Sequence, residues 1–389
     1  MPIAAPPPLY TQYYPRTYVA PYLAAAPLSM TIDGNLSKLE WQQAPWSNLF
    51  DDIRGVDDSP TDERPPSTCT TRIKMMWDDK YLYIGALLEA DADHPVVTSF
   101  RNRNDPIFQQ DSDFEVFIDP FVTNHDYKEF EVNAYNTIWN LMLDEPYDDG
   151  GVEHSGRIAN PGDEFYYDVL HQTSAVQLLE GSLNNCSNET TKWSVEIRMA
   201  YSDLLTSSSS SSKTGGAGTA PPSKGSRWRI NFSRVERKGD INWTWQPQIE
   251  WNPHTKRYEG KVNMHLPNAW GYLVFGDGDA QDVPQDPEWP IRMAAMTIYA
   301  AQHAHYDERQ TYASQISELH KWLDTDLIES VVSHVKLHVP LHNTFRATLS
   351  DKNYEATIRQ DRYLQVTKYW NENTTTTDST TTTTTTATK

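Results

Sequence analysis

Carboxylate side chains recur on three consecutive segments between Asp111 and Leu143, in the stretch DSDFEVFIDPFVTNHDYKEFEVNAYNTIWNLML. Each segment alternates apolar and polar residues, which is the pattern of a β-strand with two different faces. A buried sheet tolerates so many acids only where they have partners. Paired carboxylates can hydrolyse a glycosidic bond, hold a calcium ion, or accept hydrogen bonds from the hydroxyls of a sugar.

Alternation along the strands assigns the acids to one face of this sheet. Glu115, Glu131 and Asn133 share that face, which mixes carboxylate, amide and aromatic groups and so differs from an ordinary solvated face. We therefore treat these three residues as candidate ligand-binding residues, with simple exposure to water as the alternative. The opposite face is predicted to be core, and its residues are Phe114, Val116, Ile118, Phe130 and Val132.

Tryptophans cluster later in the chain, at positions 243, 245, 251 and 270. Trp243 and Trp245 share one face of a predicted strand, so both could pack in the core. An aromatic ring can also stack against the C–H face of a sugar. Trp243 and Trp270 are therefore candidates for a stacking surface, and core packing is the alternative.

Composition narrows the class of ligand. The formal net charge is −20, which repels phosphate backbones and argues against a nucleic-acid partner. The chain has 13 Trp and 21 Tyr, a surplus that, beside amides and carboxylates, is typical of sugar-binding proteins. No apolar run reaches the ~18 residues of a membrane span, and the first residues lack the features of a signal peptide, so the compartment stays open.

Short strand signals separated by turns predict a mainly β fold, an antiparallel β-sandwich with a C-terminal helical and β appendage. Two helices are expected within residues 288–323, followed by short strands over residues 332–368. The predicted divisions are a flexible lead (1–27), the sandwich (28–277) with a disordered Ser-rich insertion (206–226), the helical and β extension (278–370), and a disordered Thr-rich tail (371–389).

Several of these segments resemble a carbohydrate-binding module of family 9, a DOMON-like β-sandwich, in its larger variety. The resemblance begins at IDGNLSKLEWQQAPW and continues through RIKMMWDDKYLYIGALLEAD, QQDSDFEVFIDP and YKEFEVNAYNTIWNLML. It extends to WSVEIRMAYSDL, WRINFSRVE, NWTWQP and NMHLPNAWGYLVF. The order and spacing agree over roughly Ile32 to Phe275.

The resemblance implies a module that binds glycans and has no catalytic centre. Glu115 matches the family glutamate that holds sugar hydroxyls, while Glu131 and Asn133 match polar positions of the next strand. Family members with a characterised sugar site have arginine where this chain has Glu131. They also enclose the sugar between two tryptophans; here Phe108 is the nearest aromatic to the first, and Met264 with His265 stands near the second.

The family also carries structural calcium, which makes Ca²⁺ the candidate cofactor, although the sequence assigns no ligand set. The acids considered for it lie near strand ends, at Asp78, Asp79, Asp91, Asp93, Asp111 and Asp113. We expect non-catalytic carbohydrate binding with a glycan or oligosaccharide partner, linked to polysaccharide catabolism. The alternatives are a glycoside-active enzyme that uses paired carboxylates, and a scaffold protein that has lost the sugar site.

Overall fold

A computed structural model describes residues 9–23, 30–185, 190–208, 220–236, 240–276 and 283–369. Within them the fold is mainly β, as predicted, with helices concentrated near the C-terminus. None of the helices formed by these residues combines the length and the apolar character that crossing a bilayer requires.

The larger sheet contains nine strands among the described residues. Their bounds are β1 (Thr17–Pro21), β2 (Asp51–Asp52), β5 (Asp113–Asp119), β6 (Tyr127–Asn133), β7 (Ile138–Leu143), β8 (Glu153–His154), β11 (Arg227–Glu236), β12 (Ile241–Thr244) and β15 (Gly271–Gly276). Seven of them form the order β1-β15-β11-β5-β6-β7-β8, and β12 pairs with β11 and with β2.

The smaller sheet packs over one face of the larger one. Its order is β3-β4-β10-β9, with all pairs antiparallel. The strands are β3 (Thr71–Trp77), β4 (Tyr81–Ala90), β9 (Thr173–Glu180) and β10 (Thr191–Ala200). Short helices flank the sandwich at α1 (Leu39–Gln42) and α2 (Tyr201–Leu204), and β13 (Ile249–Asn252) pairs with β14 (Arg257–Gly260) as a separate hairpin.

The main core lies between the two sheets, and the predicted core residues are all in it. Phe114, Val116 and Ile118 of β5 are buried there, together with Phe130 and Val132 of β6. Because side chains alternate along a strand, this fixes the acids of β5 and β6 on the outer face of the larger sheet. The sandwich therefore positions a row of carboxylates away from its own core.

The first residues contradict the prediction of a flexible lead over residues 1–27, as far as they are described. Residues 9–13 form a 3₁₀ turn, and β1 pairs with β15 in parallel, from Thr17 opposite Tyr272 to Pro21 opposite Gly276. Tyr18, Val19 and Ala20 are buried. The strand forms despite the many prolines because its side chains are buried against the rest of the protein. Prolines beside it are tolerated because it lies at the edge of the sheet.

The predicted disordered insertion, residues 206–226, is anchored at both described ends. Lys128 Nζ donates to the Thr206 carbonyl over 2.6 Å, and Ser208 N donates to Asp126 Oδ1 over 2.8 Å. At the other end, Phe275 N donates to the Ser226 carbonyl over 3.1 Å. Residues 209–219 and the tail predicted over 371–389 lie outside the described residues.

The C-terminal extension consists of helices packed on a further four-stranded antiparallel sheet. Helix α3 (Trp289–Arg309) is followed by a 3₁₀ turn at residues 316–318 and by α4 (Thr325–Val331). The prediction of two helices within residues 288–323 is therefore wrong: this range holds α3 and a 3₁₀ turn, and α4 begins after it. Helix α3 ends where Gln310 adopts the left-handed conformation. The strands are β16 (His334–Leu341), β17 (Thr344–Ser350), β18 (Tyr354–Arg359) and β19 (Leu364–Lys368).

This extension contacts the sandwich through polar groups of the β18–β19 turn. Arg362 is buried there, and its Nε lies 2.7 Å from Asp149 Oδ2 while its Nη1 lies 2.7 Å from Glu250 Oε1. Leu364 N also donates to the Thr123 carbonyl over 3.0 Å. The extension therefore supports the loop after β7, which borders the acidic face.

Candidate functional site

The outer face of β5, β6 and β7 is the floor of an open cavity of about 690 Å³. Loops that surround this face supply the walls, and their lining residues fall within residues 104–109, 147–157 and 262–265. This volume falls within the usual range of small-molecule sites, about 300–1,000 Å³. It forms where the sequence predicted a polar, aromatic-edged face.

Carboxylates dominate the floor because the strand register brings them together. Glu115 of β5 stands directly opposite Glu131 of β6, and Phe117 stands opposite Glu129. Glu115, Glu129 and Glu131 line the cavity. Asp113 lies on the same face one row along, with no exposed surface. Three of these acids, Asp113, Glu115 and Glu131, have oxygens that all lie within 4.8 Å of one another.

These acids are buried, which changes their protonation. Burial raises the pKa of Glu115 to about 7, and burial followed by repulsion from Glu115 raises the pKa of Glu129 to about 8. Burial raises the pKa values of Glu131 and Asp113 well above their usual range, with repulsion from neighbouring carboxylates as the next cause. Full negative charge on this floor is therefore costly unless a cation or donor offsets it.

One wall of the cavity combines aromatic rings with a guanidinium group. Trp139 lies opposite Glu131 in the β6–β7 pair, and its ring centroid is 5.3 Å from that of Phe108. The guanidinium carbon of Arg157 stands 4.6 Å from the centroid of the Trp139 ring. Arg157 also pairs with Glu153, through Nε to Oε1 at 3.2 Å. Aromatic surface and hydrogen-bond donors therefore lie side by side.

A second aromatic group of the cavity comes from Tyr147 and His265, whose ring centroids are 4.6 Å apart. Tyr147 is 43% exposed, so its ring is open to a ligand. The hydroxyl of Tyr127 lies 3.0 Å from His265 Nδ1. Burial lowers the pKa of His265 to about 4, so the imidazole is neutral at physiological pH and does not offset the acids.

Of the six sequence-predicted site residues, three line the cavity: Phe108, Glu115 and Glu131. Asn133 does not, because its side chain is fully buried and bonded within the protein. Its Nδ2 donates to the Phe100 carbonyl (3.0 Å) and to Asp111 Oδ2 (2.7 Å). Its Oδ1 accepts from Tyr135 N and Thr137 N. The amide holds the turn after β6 rather than facing a ligand.

The two tryptophans proposed as a stacking surface are both fully buried. Trp243 belongs to the core between the sheets, and its Nε1 donates to the Glu63 carbonyl over 2.8 Å. Trp270 packs beneath the cavity, with its ring centroid 5.7 Å from that of Phe117, and its Nε1 donates to the Met264 carbonyl. Core packing, the alternative kept for both, is what the structure shows.

Sequence reasoning did not select several lining residues: Asn104, Gln109, Glu129, Trp139, Tyr147, Glu153 and Arg157. Strand alternation alone could have found Glu129 and Trp139, since both share the face of Glu131. Tyr147 and Arg157 lie in loops, where the sequence has no periodicity that would indicate which way a side chain points. Met264 and His265, which the family resemblance placed near the second tryptophan position, do line the cavity.

Three of the six acids considered for calcium have ordinary structural roles. Asp78 Oδ1 accepts from Lys80 N and Tyr81 N, and Asp91 Oδ1 accepts from Asp93 N and His94 N, as turn-forming aspartates do. Asp111 accepts from the backbone amides of residues 99 and 100. Asp113 differs, because neither of its buried oxygens has a hydrogen-bond partner within the described residues.

Comparison with known proteins supports the family resemblance. Residues 32–160 match the family described as "Carbohydrate family 9 binding domain-like", and this segment contains β5, β6, β7 and most of the cavity wall. No curated protein matches the chain.

Two similar solved structures are of a carbohydrate binding module family 9 from Caldicellulosiruptor kristjanssonii. The complex with cellotriose is 17% identical, covers 70% of this chain and 100% of that chain, and has a TM-score of 0.36. The complex with glucose is 16% identical, covers 69% and 100%, and has a TM-score of 0.37.

Proposed function

We propose that this protein, whose residues 32–160 match the carbohydrate family 9 binding domain-like family, binds a neutral sugar in the cavity on the outer face of β5, β6 and β7. The observation that carries the proposal is the combination of buried carboxylate acceptors on the floor with aromatic rings on the wall. A pyranose has a rim of hydroxyls and an apolar face, and this cavity offers a surface for each.

Each part of the cavity has a separate task in this proposal. Glu115 and Glu131 accept hydrogen bonds from hydroxyls, and the Arg157 guanidinium donates to oxygen acceptors. Tyr147 and Phe108 provide apolar contact, since Tyr147 is 43% exposed and Phe108 is half-buried at the cavity wall. Trp139 contributes less open surface, because Arg157 stands over its ring.

We propose binding without catalysis. In glycosidases, the two carboxyl groups flank the bond that is cut, one on each side of it. Here the oxygens of Asp113, Glu115 and Glu131 lie within 4.8 Å of one another and on one face of one sheet. That arrangement favours acceptors on the same side of a ligand. A link to polysaccharide catabolism follows from the family resemblance and is part of the proposal.

The test is calorimetric titration with soluble glucose and cello-oligosaccharides. Glu115→Gln keeps the shape of the side chain but removes charge-assisted hydrogen bonds of roughly 1.5–3 kcal/mol, so the affinity should fall about tenfold or more. Tyr147→Ala and Phe108→Ala should also weaken binding through lost ring contact. Lys336→Ala, at an exposed position of β16 far from the cavity, is the control and should bind as the parent does.

Two results would oppose the proposal. Undiminished binding by Glu115→Gln, Tyr147→Ala and Phe108→Ala would place the ligand outside the cavity. No binding by the folded parent protein to any soluble glycan would favour the scaffold alternative. Release of reducing ends during the titration, lost in Glu131→Gln, would instead support a glycoside-active enzyme.

A further inference from the structure

The strand register concentrates three acids at one point of the cavity floor. Glu115 and Glu131 are cross-strand partners, and Asp113 is two residues from Glu115 on the same face of β5. All three are buried, with residue exposures of 4%, 1% and 0% for Glu115, Glu131 and Asp113. Their oxygens lie within 4.8 Å of one another, so like charges meet where water has little access.

These acids also lack the hydrogen bonds that buried carboxylates normally have. Both oxygens of Asp113 are without a partner among the described residues, as are Oε2 of Glu115 and Oε2 of Glu131. Asp111, two residues earlier, shows the usual arrangement, because it accepts from Ser99 N at 2.9 Å. An unpartnered buried carboxylate costs several kcal/mol, so these three acids must either take up protons or be offset by a bound positive group.

No side chain of the described residues supplies that positive charge. The ion pairs formed by nearby arginines use other acids: Arg157 pairs with Glu153, and Arg234 lies 2.6 Å from Glu236. His265 is neutral at physiological pH, for the reason given above. Within the described part of the chain, Asp113, Glu115 and Glu131 form no ion pair with lysine, arginine or histidine.

We propose that Asp113, Glu115 and Glu131 together bind one divalent cation, with Ca²⁺ the preferred ion. The donor set is all oxygen, which hard cations select, and includes neither imidazole nor thiolate. Calcium–oxygen distances are about 2.3–2.6 Å, so ligands on opposite sides of the ion stand about 5 Å apart. One oxygen of each acid lies within 4.8 Å of those of the other two, which is compatible with that ion. Mg²⁺ fits less well, because it requires a near-ideal octahedron.

The ion would also contact the sugar, a step that rests on the proposed function. Glu115 and Glu131 line the cavity, whereas Asp113 lies below the floor. A cation held by these groups is therefore reached from the cavity, and three carboxylates leave coordination positions for water or for a pair of sugar hydroxyls. In this arrangement the acids act on the sugar through the ion rather than only by direct hydrogen bonds.

The cation itself is tested with CaCl₂ alone, without sugar. Chelator-treated full-length protein should bind Ca²⁺ at one saturable site in a calorimetric titration, and its Tm should rise with Ca²⁺ concentration. Asp113→Asn and the isosteric Glu131→Gln should each weaken the Ca²⁺ affinity by at least about tenfold. Asp307→Asn, on an exposed position of α3, is the matched control and should bind Ca²⁺ like the parent.

A second readout keeps the test decisive if one variant folds poorly. Removing one of the crowded charges should raise the Tm of the chelator-treated protein, while the increase caused by Ca²⁺ should shrink or vanish. Saturable Ca²⁺ binding lost in both variants would support the site. Absence of Ca²⁺ binding, or binding that Asp113→Asn and Glu131→Gln leave unchanged, would overturn it.

The sugar titration, repeated with Ca²⁺ and with chelator, separates this inference from the proposed function. We expect sugar affinity to fall at least about tenfold in chelator. Sugar binding of equal strength in both conditions would leave the proposed function standing and overturn the contact between ion and sugar. Ca²⁺ binding without any sugar binding would support the cation site and oppose the proposed function.

Discussion

Asn133 illustrates, at the scale of a single residue, why the correct face of a strand does not guarantee a ligand contact. Alternation assigned it to the face of Glu131, and that assignment is right. The register then places it at the end of β6, where the chain turns and backbone amides need acceptors. Its amide is fully used by these local bonds, which a periodic pattern does not report.

Asn133→Ala should therefore lower the stability of the fold more than it changes sugar affinity. The substitution leaves the backbone amides of Tyr135 and Thr137 without their acceptor and removes one of several donors to the Asp111 carboxylate. Unsatisfied buried groups cost about 1–3 kcal/mol each, so we expect a loss of about 2–4 kcal/mol in the free energy of unfolding. Urea unfolding measures this loss, and titration of the folded variant measures affinity.

Asn48→Ala is the control for this prediction, since Asn48 is exposed and should change stability by less than about 0.5 kcal/mol. A stable Asn133→Ala variant that no longer binds sugar would show that the asparagine contacts the ligand after all.

At the scale of elements, the positions of several strands and the faces on which their side chains lie followed from the sequence. Segments of the sequence that are rich in strand-forming residues, at 71–77, 81–90, 113–119 and 227–236, coincide with β3, β4, β5 and β11. Alternation sorted their two faces because apolar and polar residues follow each other with period two. The burial of Glu115 and Glu131 was not predictable, because it depends on loops that are distant from them in the sequence. Residues 147–157 and 262–265 supply those walls.

Strand β1 was missed for a related reason. Its stabilising contacts are non-local: it pairs with β15, about 255 residues later, and Trp77 Nε1 donates to the carbonyls of Ala20 and Gly276. Tyr18 belongs to the core between the sheets. Its hydroxyl donates to the Pro45 carbonyl over 2.6 Å and accepts from Met75 N over 3.0 Å.

Tyr18→Ala should consequently destabilise the sandwich, although the residue belongs to a segment whose composition predicts flexibility. Removal of a large buried aromatic side chain costs about 3–5 kcal/mol, and the lost hydrogen bonds act in the same direction. Thr17→Ala, one residue earlier on the exposed side, should change stability by less than about 0.5 kcal/mol. If Tyr18→Ala and Thr17→Ala both left the free energy of unfolding almost unchanged in chemical denaturation, the prediction of a flexible lead would be restored.

At the scale of the whole molecule, the sandwich and the C-terminal extension share buried polar contacts as well as apolar ones. Arg362 of the β18–β19 turn bonds to Asp149 after β7 and to Glu250 of β13, and its Nη2 lies 3.3 Å from the Tyr299 hydroxyl. Arg362 is 5% exposed. A guanidinium buried this deeply holds several neighbours in place, because no single one of them can accept from all of its N–H donors.

Arg362→Ala should lower the free energy of unfolding by weakening the contact between the sandwich and the C-terminal extension. The substitution leaves the fully buried Asp149 carboxylate and part of Glu250 without their positive partner. Breaking a buried ion pair by removing one member costs about 3–5 kcal/mol, because the remaining charge is uncompensated. We expect that loss in chemical denaturation of the full chain. Sugar affinity should fall as well, because Asp149 belongs to the loop that carries Tyr147.

Arg346→Ala tests whether the loss is specific to the buried position. Arg346 lies on β17 of the same sheet but is exposed, so its removal should change the free energy of unfolding by less than about 0.5 kcal/mol. If Arg362→Ala cost no more than this control, the extension would be held by apolar packing alone. The loop that carries Tyr147 would then keep its position without help from the β18–β19 turn, and sugar affinity would not change.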